Sequence, residues 1–510
     1  MPHGSTLARV LRIGKCRTVD PPFCIETEPQ SVRGARMKRM SGADAFMLGM
    51  ETSRVYMHTF KIAIIDPSTD PDGWSFEKYA RDIESRVHLV PLFRWKYAPA
   101  PLGLGHPYWV EDPDFNLAYH LRRVACPSPG DHKALCQFMS QVYAYKLDRD
   151  RPLWMQWVVE GLEGGKVALV MIVHHAYVDG VGAGWMLKQF YRPLPADHLK
   201  HIPAWNPEPY PSWLRRFATS LRDLPGFMFS NLPRVVSGLR QKRALERSIR
   251  LSGKPAHPNF TQMHKTPINV VLSAGRTFVC ESIPFSRLQA VSKHFKVTIN
   301  DVFVACSAGA VRHLLLSKNF DANQRPLIAG TPFAGERPEG MEGLGNFASA
   351  DFCWLRSDIA DPLKRLLATQ EANDAMKEHM AEVKAAGADI NALMNILPNW
   401  AINLTRYLIK KKQGAIGFFG NVGLSNVPGP REPLFLDKWK VENWFSTGMI
   451  MDGTALNMTL WSYAGKANLC ILTDPAVLAD GWVLFNYFVA ELEALEALVD
   501  HNCMPAETVA

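Results

Sequence analysis

The chain has 510 residues, 47% of them hydrophobic and 21% charged, which excludes a disordered or collagen-like protein and is long enough for two cores. Its nine cysteines are scattered and contain no CxxC pair, which fits reduced thiols and not a disulfide frame or a zinc site. The net charge of +8 is concentrated in two segments, residues 1–39 (eight Lys/Arg against three acids) and 213–250 (nine against two), leaving the rest of the chain slightly acidic.

No nucleic-acid module accompanies those basic segments, so no nucleic-acid partner is expected; an anionic membrane surface suits them better. No apolar run is expected to span a bilayer, and no secretory signal opens the chain. Residues 1–36 lack a sustained period and are expected to be a disordered extension, with the functional protein beginning near Met37.

In chain order, a short helix is predicted at Asp44–Leu48, a strand at Tyr56–Ile65 and a helix at Phe76–Val87. Pro91–Asp114 reads as a Pro/Gly/aromatic connection, and Asp131–Tyr145 as a helix with an apolar face. Leu153–Val159 and Val167–Val173 read as strands paired through the Gly161–Gly165 turn, followed by a helix over Gly182–Tyr191. Pro203–Pro211 breaks the pattern. Trp213–Arg250 interleaves apolar residues with arginines and reads either as a packed linker or as a membrane-surface helix pair.

In the second half, Thr277–Ile283 and Phe347–Leu355 are predicted strands, and Ser286–Phe295, Val297–Leu316 and Pro362–Ala385 predicted helices. An interrupted apolar stretch, Ile390–Ile409, runs into Lys410, Lys411 and Lys412. Leu456–Tyr463 and Ala467–Thr473 form a hairpin around Gly465, and Asp480–Leu498 closes the chain as a helix. Both halves end in a hairpin followed by a helix. Two similar α/β domains with mixed sheets are therefore expected: residues 37–205, a basic amphipathic linker at 206–265, and residues 266–505.

The chemistry concentrates in Lys166–Trp185, KVALVMIVHHAYVDGVGAGW. A buried β-branched strand ends in His174, His175, Asp179 and Gly180, and titratable groups at the mouth of a rigid strand are where active sites are commonly built. A histidine there can take the proton of a substrate hydroxyl as its oxygen attacks an acyl carbonyl. Asp179 either orients His175 directly or, as a buried anion, pins the loop through a basic partner; Gly180 is expected to permit a tight turn. The blander alternative is a core histidine pair with an aspartate helix cap. No GxSxG elbow or reactive-looking cysteine supplies a nucleophile, so direct transfer between two bound substrates is the economical mechanism. GVGAG is not a dinucleotide fingerprint, GLEGGKV is not a phosphate loop, and no metal or bound cofactor is expected.

HHAYVDG resembles the HHxxxDG motif of coenzyme A-dependent acyltransferases, peptide-synthetase condensation domains, and bacterial wax ester synthase/diacylglycerol acyltransferases. Met40–Phe46, Arg151-Pro152-Leu153-Trp154, Thr298–Val302 with its Asn300-Asp301 pair, Gly345-Asn346, Ser425–Pro430 and Gly453–Tyr463 each resemble elements of the last family, in the right order across about residues 37–500. Each has a plainer reading: Trp154 as core, Thr298 with Asp301 as a capping-box-like helix start, Asn426 to Gly429 as a rigid turn.

The resemblance implies two chloramphenicol-acetyltransferase-like domains with a channel at their interface. His175 would be general base there, His174 its support and Asp179 mainly structural; Trp154, Asn300, Asp301, Asn426 and Gly429 would shape the channel. It also implies acyl-CoA as co-substrate, diacylglycerol (giving triacylglycerol) or a long-chain alcohol (giving a wax ester) as acceptor, and a cytoplasmic protein held peripherally on a membrane or lipid droplet. A specialised-lipid acyltransferase and a non-catalytic lipid-binding relative are the rivals. A condensation domain is disfavoured by the missing carrier-domain neighbours.

Overall fold

The structure, a computed structural model, describes residues 37–193, 205–229, 257–259, 262–333, 349–385, 394–396, 399–412, 417 and 419–500, with scattered positions between 232 and 247. The expected leader 1–36, the Pro203 end of the predicted boundary and the Gly345-Asn346 pair lie outside the described residues.

The first half runs β1 (Lys38–Arg39), α1 (Gly42–Met50), β2 (His58–Asp66), α2 (Phe76–Arg86), β3 (Trp95–Ala98) and β4 (Tyr108–Glu111). It continues through α3 (Leu117–His120), β5 (Leu121–Ala125), α4 (His132–Tyr143), β6 (Trp154–Glu160), β7 (Val167–His174), α5 (Gly180–Phe190) and α6 (Trp213–Phe229). The second half has β8 (Thr277–Pro284), α7 (Phe285–Phe295), α8 (Ile299–Ser317), β9 (Leu327–Phe333), β10 (Ser349–Leu355), α9 (Pro362–Ala385) and α10 (Asn399–Lys411). It ends with β11 (Val422–Val427), β12 (Phe435–Leu436), β13 (Trp439–Thr447), β14 (Leu456–Tyr463), β15 (Lys466–Thr473) and α11 (Gly481–Asp500).

Helix starts follow local chemistry. Ser41, Ser75, Asp131, Asp179 and Thr298 each sit in extended backbone and accept a hydrogen bond from an amide in the first turn, satisfying donors that the helix itself leaves orphaned.

Two six-stranded mixed sheets carry the fold, in the orders β12-β13-β2-β7-β6-β5 and β10-β9-β11-β14-β15-β8, beside a small sheet β1-β4-β3. Strand β7 is paired on both edges, by β2 and β6, and is buried along nearly its whole length on both faces, which is why its sequence is a continuous apolar run. The β14–β15 hairpin closes on Ala464 and Gly465, whose φ values of +46° and +79° have the sign that a two-residue hairpin turn matching the strand twist requires. The two-domain, mixed-sheet α/β architecture is as expected.

Three features differ from the expectations. Pro91–Asp114 is not a plain connection: it contains β3 and β4, which pair in register Trp95↔Glu111 to Ala98↔Tyr108. Helix α8 is long and apolar enough to cross a membrane by length and composition, yet it is largely buried, packed among α7, α9 and α11. Finally, β12 and β13 lie in the first sheet although they fall within 266–505, so the expected sequential division does not partition the strands. β13 pairs antiparallel with β2, from Lys440↔Asp66 to Thr447↔Phe60, with a bulge between Val441 and Asn443. The bulge inserts an extra residue and breaks the two-residue alternation by which a strand is recognised in sequence.

Further ties join the halves. Ser140 on α4 accepts from the Phe278 amide at 2.9 Å. The Tyr143 hydroxyl reaches the carbonyls of His58 (2.6 Å) and Gly448 (3.0 Å). The Tyr56 hydroxyl donates to the Ala274 carbonyl at 3.2 Å, and the Arg276 guanidinium lies 4.7 Å from the Tyr56 ring centre.

Candidate active site

The β7 strand delivers the motif through backbone bonds before any side chain acts. His174 N–H donates to the Leu153 carbonyl (3.0 Å), His175 N–H to Met57 (2.7 Å), and Tyr177 N–H back to His174 (3.0 Å), so the chain turns at residues 175–177. Tyr177, inside the motif but not singled out from the sequence, locks this turn. Its buried hydroxyl accepts from the Leu153 amide at 2.7 Å and donates to the Trp95 carbonyl.

His174 is fully buried, and its Nδ1 accepts from the Ala176 amide at 3.0 Å. Burial holds its imidazole well below the ordinary value, with His58 opposite it in the β2–β7 register as the next cause. It therefore shapes the turn and is sealed from substrate. His58 is itself pushed down to about 3 by burial and by Arg276, and stacks on Tyr56 at 5.6 Å.

Of the two, His175 is the histidine that stays partly open. Burial pushes its imidazole down to about 4, Lys61 adds to the effect, and Asp179 opposes it. At neutral pH the ring is unprotonated and able to accept a proton.

Asp179 is the N-cap of α5, its Oδ1 accepting from the Gly182 amide at 2.9 Å, so its carboxylate lies at the positive end of the helix. Its basic neighbour, open in the sequence, is Lys61 on β2. That buried ammonium donates to Ser446 Oγ of β13 at 2.7 Å. Burial lowers it to about 8, and the Asp179 charge is among the influences holding it up. No spacing rule links residues 61 and 179, because they meet only once β2 lies beside β7. Gly180 does not make the expected tight turn: it is the first residue of α5, since the Asp179 cap leads the chain straight into the helix.

The remaining candidates fall elsewhere. Trp154 is fully buried, donates to the Phe93 carbonyl at 2.9 Å, and is sandwiched by Phe93 and His120 at 4.5 and 4.4 Å, which makes it core. Asp301 closes a complete capping box with Thr298 and accepts from Asn373 at 2.7 Å, so it is fully spoken for by structure. Asn300 and Asn426 do meet, Asn426 Nδ2 donating to Asn300 Oδ1 at 3.3 Å, which joins the start of α8 to the end of β11. Gly429 lies where a Cβ would stand 2.1 Å from the Ser462 carbonyl oxygen, so a side chain there would push the loop off β14. Asn300, Asp301, Asn426 and Gly429 belong to the second sheet with its helices and loops; Trp154, on β6 and paired with Val173 of β7, lies with His174, His175, Asp179 and Lys61 in the first half.

Two mixed sheets, with an HHxxxDG turn leaving the central strand of one, define an acyltransferase of the chloramphenicol-acetyltransferase-like, condensation-type class. Residues 40–303 match the "Wax ester synthase/diacylglycerol acyltransferase catalytic domain", and residues 344–496 match the "WS/DGAT C-terminal domain". The chain belongs to the wax ester synthase/diacylglycerol acyltransferase family. A Mycobacterium tuberculosis H37Rv protein named "Putative diacyglycerol O-acyltransferase" is 45% identical over 476 residues, covering 92% of this chain and 99% of that protein. Another protein of the same strain and description is 32% identical, covering 92% of each. Among solved structures, the wax ester synthase/diacylglycerol acyltransferase of Marinobacter aquaeolei VT8 superposes with a TM-score of 0.65 at 24% identity, covering 91% of this chain and all of that one. The first condensation domain of the CDA synthetase superposes with a TM-score of 0.56 at 14% identity, covering 93% and 98%. At these identities the superpositions establish the fold.

The geometry around Asp301 yields one prediction. Asp301→Ala removes a cap and leaves Asn373 without its acceptor, and is expected to lower stability by about 1–3 kcal/mol in denaturant unfolding while turnover per folded molecule is kept.

Proposed function

We propose that this chain transfers a long-chain acyl group from acyl-CoA to diacylglycerol, giving triacylglycerol and free CoA. The observation that carries the reading is His175: an unprotonated, partly accessible imidazole at the end of a rigid strand, with Asp179 and Lys61 beside it. In the transfer, His175 takes the hydroxyl proton as the acceptor oxygen attacks the thioester carbonyl carbon. The C–S bond breaks, and the CoA sulfur leaves with the proton that the imidazolium returns. The Asp179 carboxylate stabilises the transient imidazolium and Lys61 opposes it, so the pair sets the basicity of the ring. No acyl-enzyme is required. Acyl-CoA and acceptor would meet at His175 in a channel between the two domains, with Asn300 and Asn426 as polar groups on the second-sheet side.

The names of the mycobacterial relatives favour diacylglycerol as acceptor, and the family description leaves a long-chain alcohol as the second reading. Purified protein offered palmitoyl-CoA with diolein and with hexadecanol is expected to release CoA and form triacylglycerol in preference to wax ester. His175→Ala is expected to lose roughly 10²- to 10⁴-fold in rate. Equal turnover in that variant would remove His175 as the base, and ester formation with hexadecanol alone would move the assignment to wax ester synthesis.

The electrostatics predict the pH profile. Since the rate needs neutral His175, kcat/KM should hold its plateau from neutral pH down to the region of its pKa, about 4. Lys61→Met removes a charge that depresses the ring and leaves Asp179, which raises it. The acid limb should therefore move upward, toward the ordinary 6.5. An unmoved limb would exclude Lys61 from tuning the base.

Lipid acceptors reside in membranes, and we place the protein in the cytoplasm, held peripherally on a membrane or lipid droplet. Helix α6 docks on the small sheet through Ser220 to Tyr108 (2.9 Å) and Arg216 to the Pro99 carbonyl (2.9 Å). Trp213, Leu214 and Leu221 are left more than half exposed beside Arg215 and Arg222. Helix α10 likewise exposes Leu404, Tyr407 and Leu408 before Lys410 and Lys411. The protein is expected to float with vesicles containing anionic lipid and to lose that binding in a Trp213→Ser/Leu214→Ser/Leu221→Ser variant; wild type left at the bottom of the gradient would refute the attachment.

A further inference from the structure

Four side chains with no motif between them in sequence meet where the two halves touch. His132 opens α4 and Cys136 follows one turn later, so both point from the same helix face. Cys280 on β8 and Cys470 on β15 are direct partners across the antiparallel ladder and project from the same face of the second sheet. Cys136 Sγ lies 4.0 Å from Cys280 Sγ, and His132 Nε2 lies 3.9 Å from Cys280 Sγ. The ligand atoms of His132, Cys136 and Cys280 all lie within 4.8 Å of one another.

These separations are close to those around a tetrahedral zinc. With Zn–S near ~2.3 Å and Zn–N near ~2.0 Å, the sulfurs stand ~3.8 Å apart and nitrogen and sulfur ~3.5 Å apart. A contraction of a few tenths of an ångström would bring the Cys136–Cys280 and His132–Cys280 pairs to that spacing. The burial is also that of a metal site with an entry path. The thiols of Cys136, Cys280 and Cys470 are buried, while the His132 side chain is about one-third exposed. His132 Nε2 also lies 2.5 Å from the Cys280 carbonyl and 3.8 Å from the exposed Glu281 carboxylate, contacts it would exchange for the ion.

We propose that His132, Cys136 and Cys280 bind a thiophilic d¹⁰ divalent ion, zinc by preference, with Cys470 or solvent completing the tetrahedron. Two thiolates with an imidazole are a donor set selective for such an ion over magnesium or calcium. Each ligating thiol loses its proton to solvent, two when solvent takes the fourth position and three when Cys470 does, and the S–M bonds form without any redox change. The ion would clip α4 of the first half to β8 of the second, a structural role at the domain interface that is independent of the proposed reaction.

The test uses the full-length chain, reduced and stripped with a chelator, titrated anaerobically with cobalt(II). Expected are a thiolate-to-cobalt charge-transfer band and the visible bands of a tetrahedral ion, saturating at a single equivalent and bleached by zinc. Cys136→Ser and Cys280→Ser should abolish the charge-transfer band or cut its intensity, whereas Cys353→Ser, a buried thiol elsewhere, should leave it intact. His132→Gln, at a side chain about one-third exposed and so expected to fold, should weaken affinity on the order of tenfold or more. Folded wild type without a charge-transfer band overturns the proposal, as does affinity unchanged in His132→Gln even where the cysteine variants fail to fold.

Discussion

The pairing of β13 with β2 is the constraint on which the rest depends. Without it, β2 would be an edge strand with a row of open backbone donors and acceptors, an arrangement that invites mispairing. The strand that covers it arrives from some 370 residues further along the chain and brings Ser446 to Lys61. One interaction therefore completes the first sheet, joins the two halves, and supplies a polar partner for the buried Lys61 ammonium, whose charge is felt at Asp179. Contacts of such long sequence separation also form late, because their loop-closure entropy must be met before they reward it.

The site is built by separating roles that look identical in sequence. His174 and His175 are adjacent, yet the first ends the strand and points into a sealed interior with His58, while the second begins the turn and keeps a partly open face. Both are held neutral chiefly by desolvation. What distinguishes His175 is the pair of opposed charges near it, Asp179 and Lys61, which raise and lower its basicity. Asp179 gains a second role from α5, whose amides fix its carboxylate as a cap. A side chain held by a helix terminus cannot swing, and that rigidity favours a defined proton-transfer geometry.

The second half contributes through close backbone approach more than through charge. Gly429 brings its loop against β14, Asn426 reaches Asn300, and Asp301 is consumed by the α8 cap and Asn373. In this chain, then, these residues of the C-terminal half are in large part the conditions for packing α8 and the central β11–β14 pair of the second sheet. Elsewhere, the packing of α4 on β8 gathers His132, Cys136, Cys280 and Cys470, residues that no local pattern connects.

The sequence by itself determined whatever rests on local periodicity and capping. The buried β7 run, the β14–β15 hairpin, α4, α7, α9 and α11, and the HHxxxDG turn with its aspartate are all set by residues within a few positions of one another. Hence the mixed-sheet, two-domain class was legible, as was the placing of His174 and His175 at the end of a buried strand. Only the tertiary structure decided what depends on strand order. It placed β13 in the first sheet, hid β3 and β4 within a Pro-rich stretch, and buried α8. It also chose Lys61 as the neighbour of Asp179. Strand pairing acts between backbones whose partners lie far apart in the chain, and a charge is felt through space, so neither leaves a spacing that a linear reading can detect.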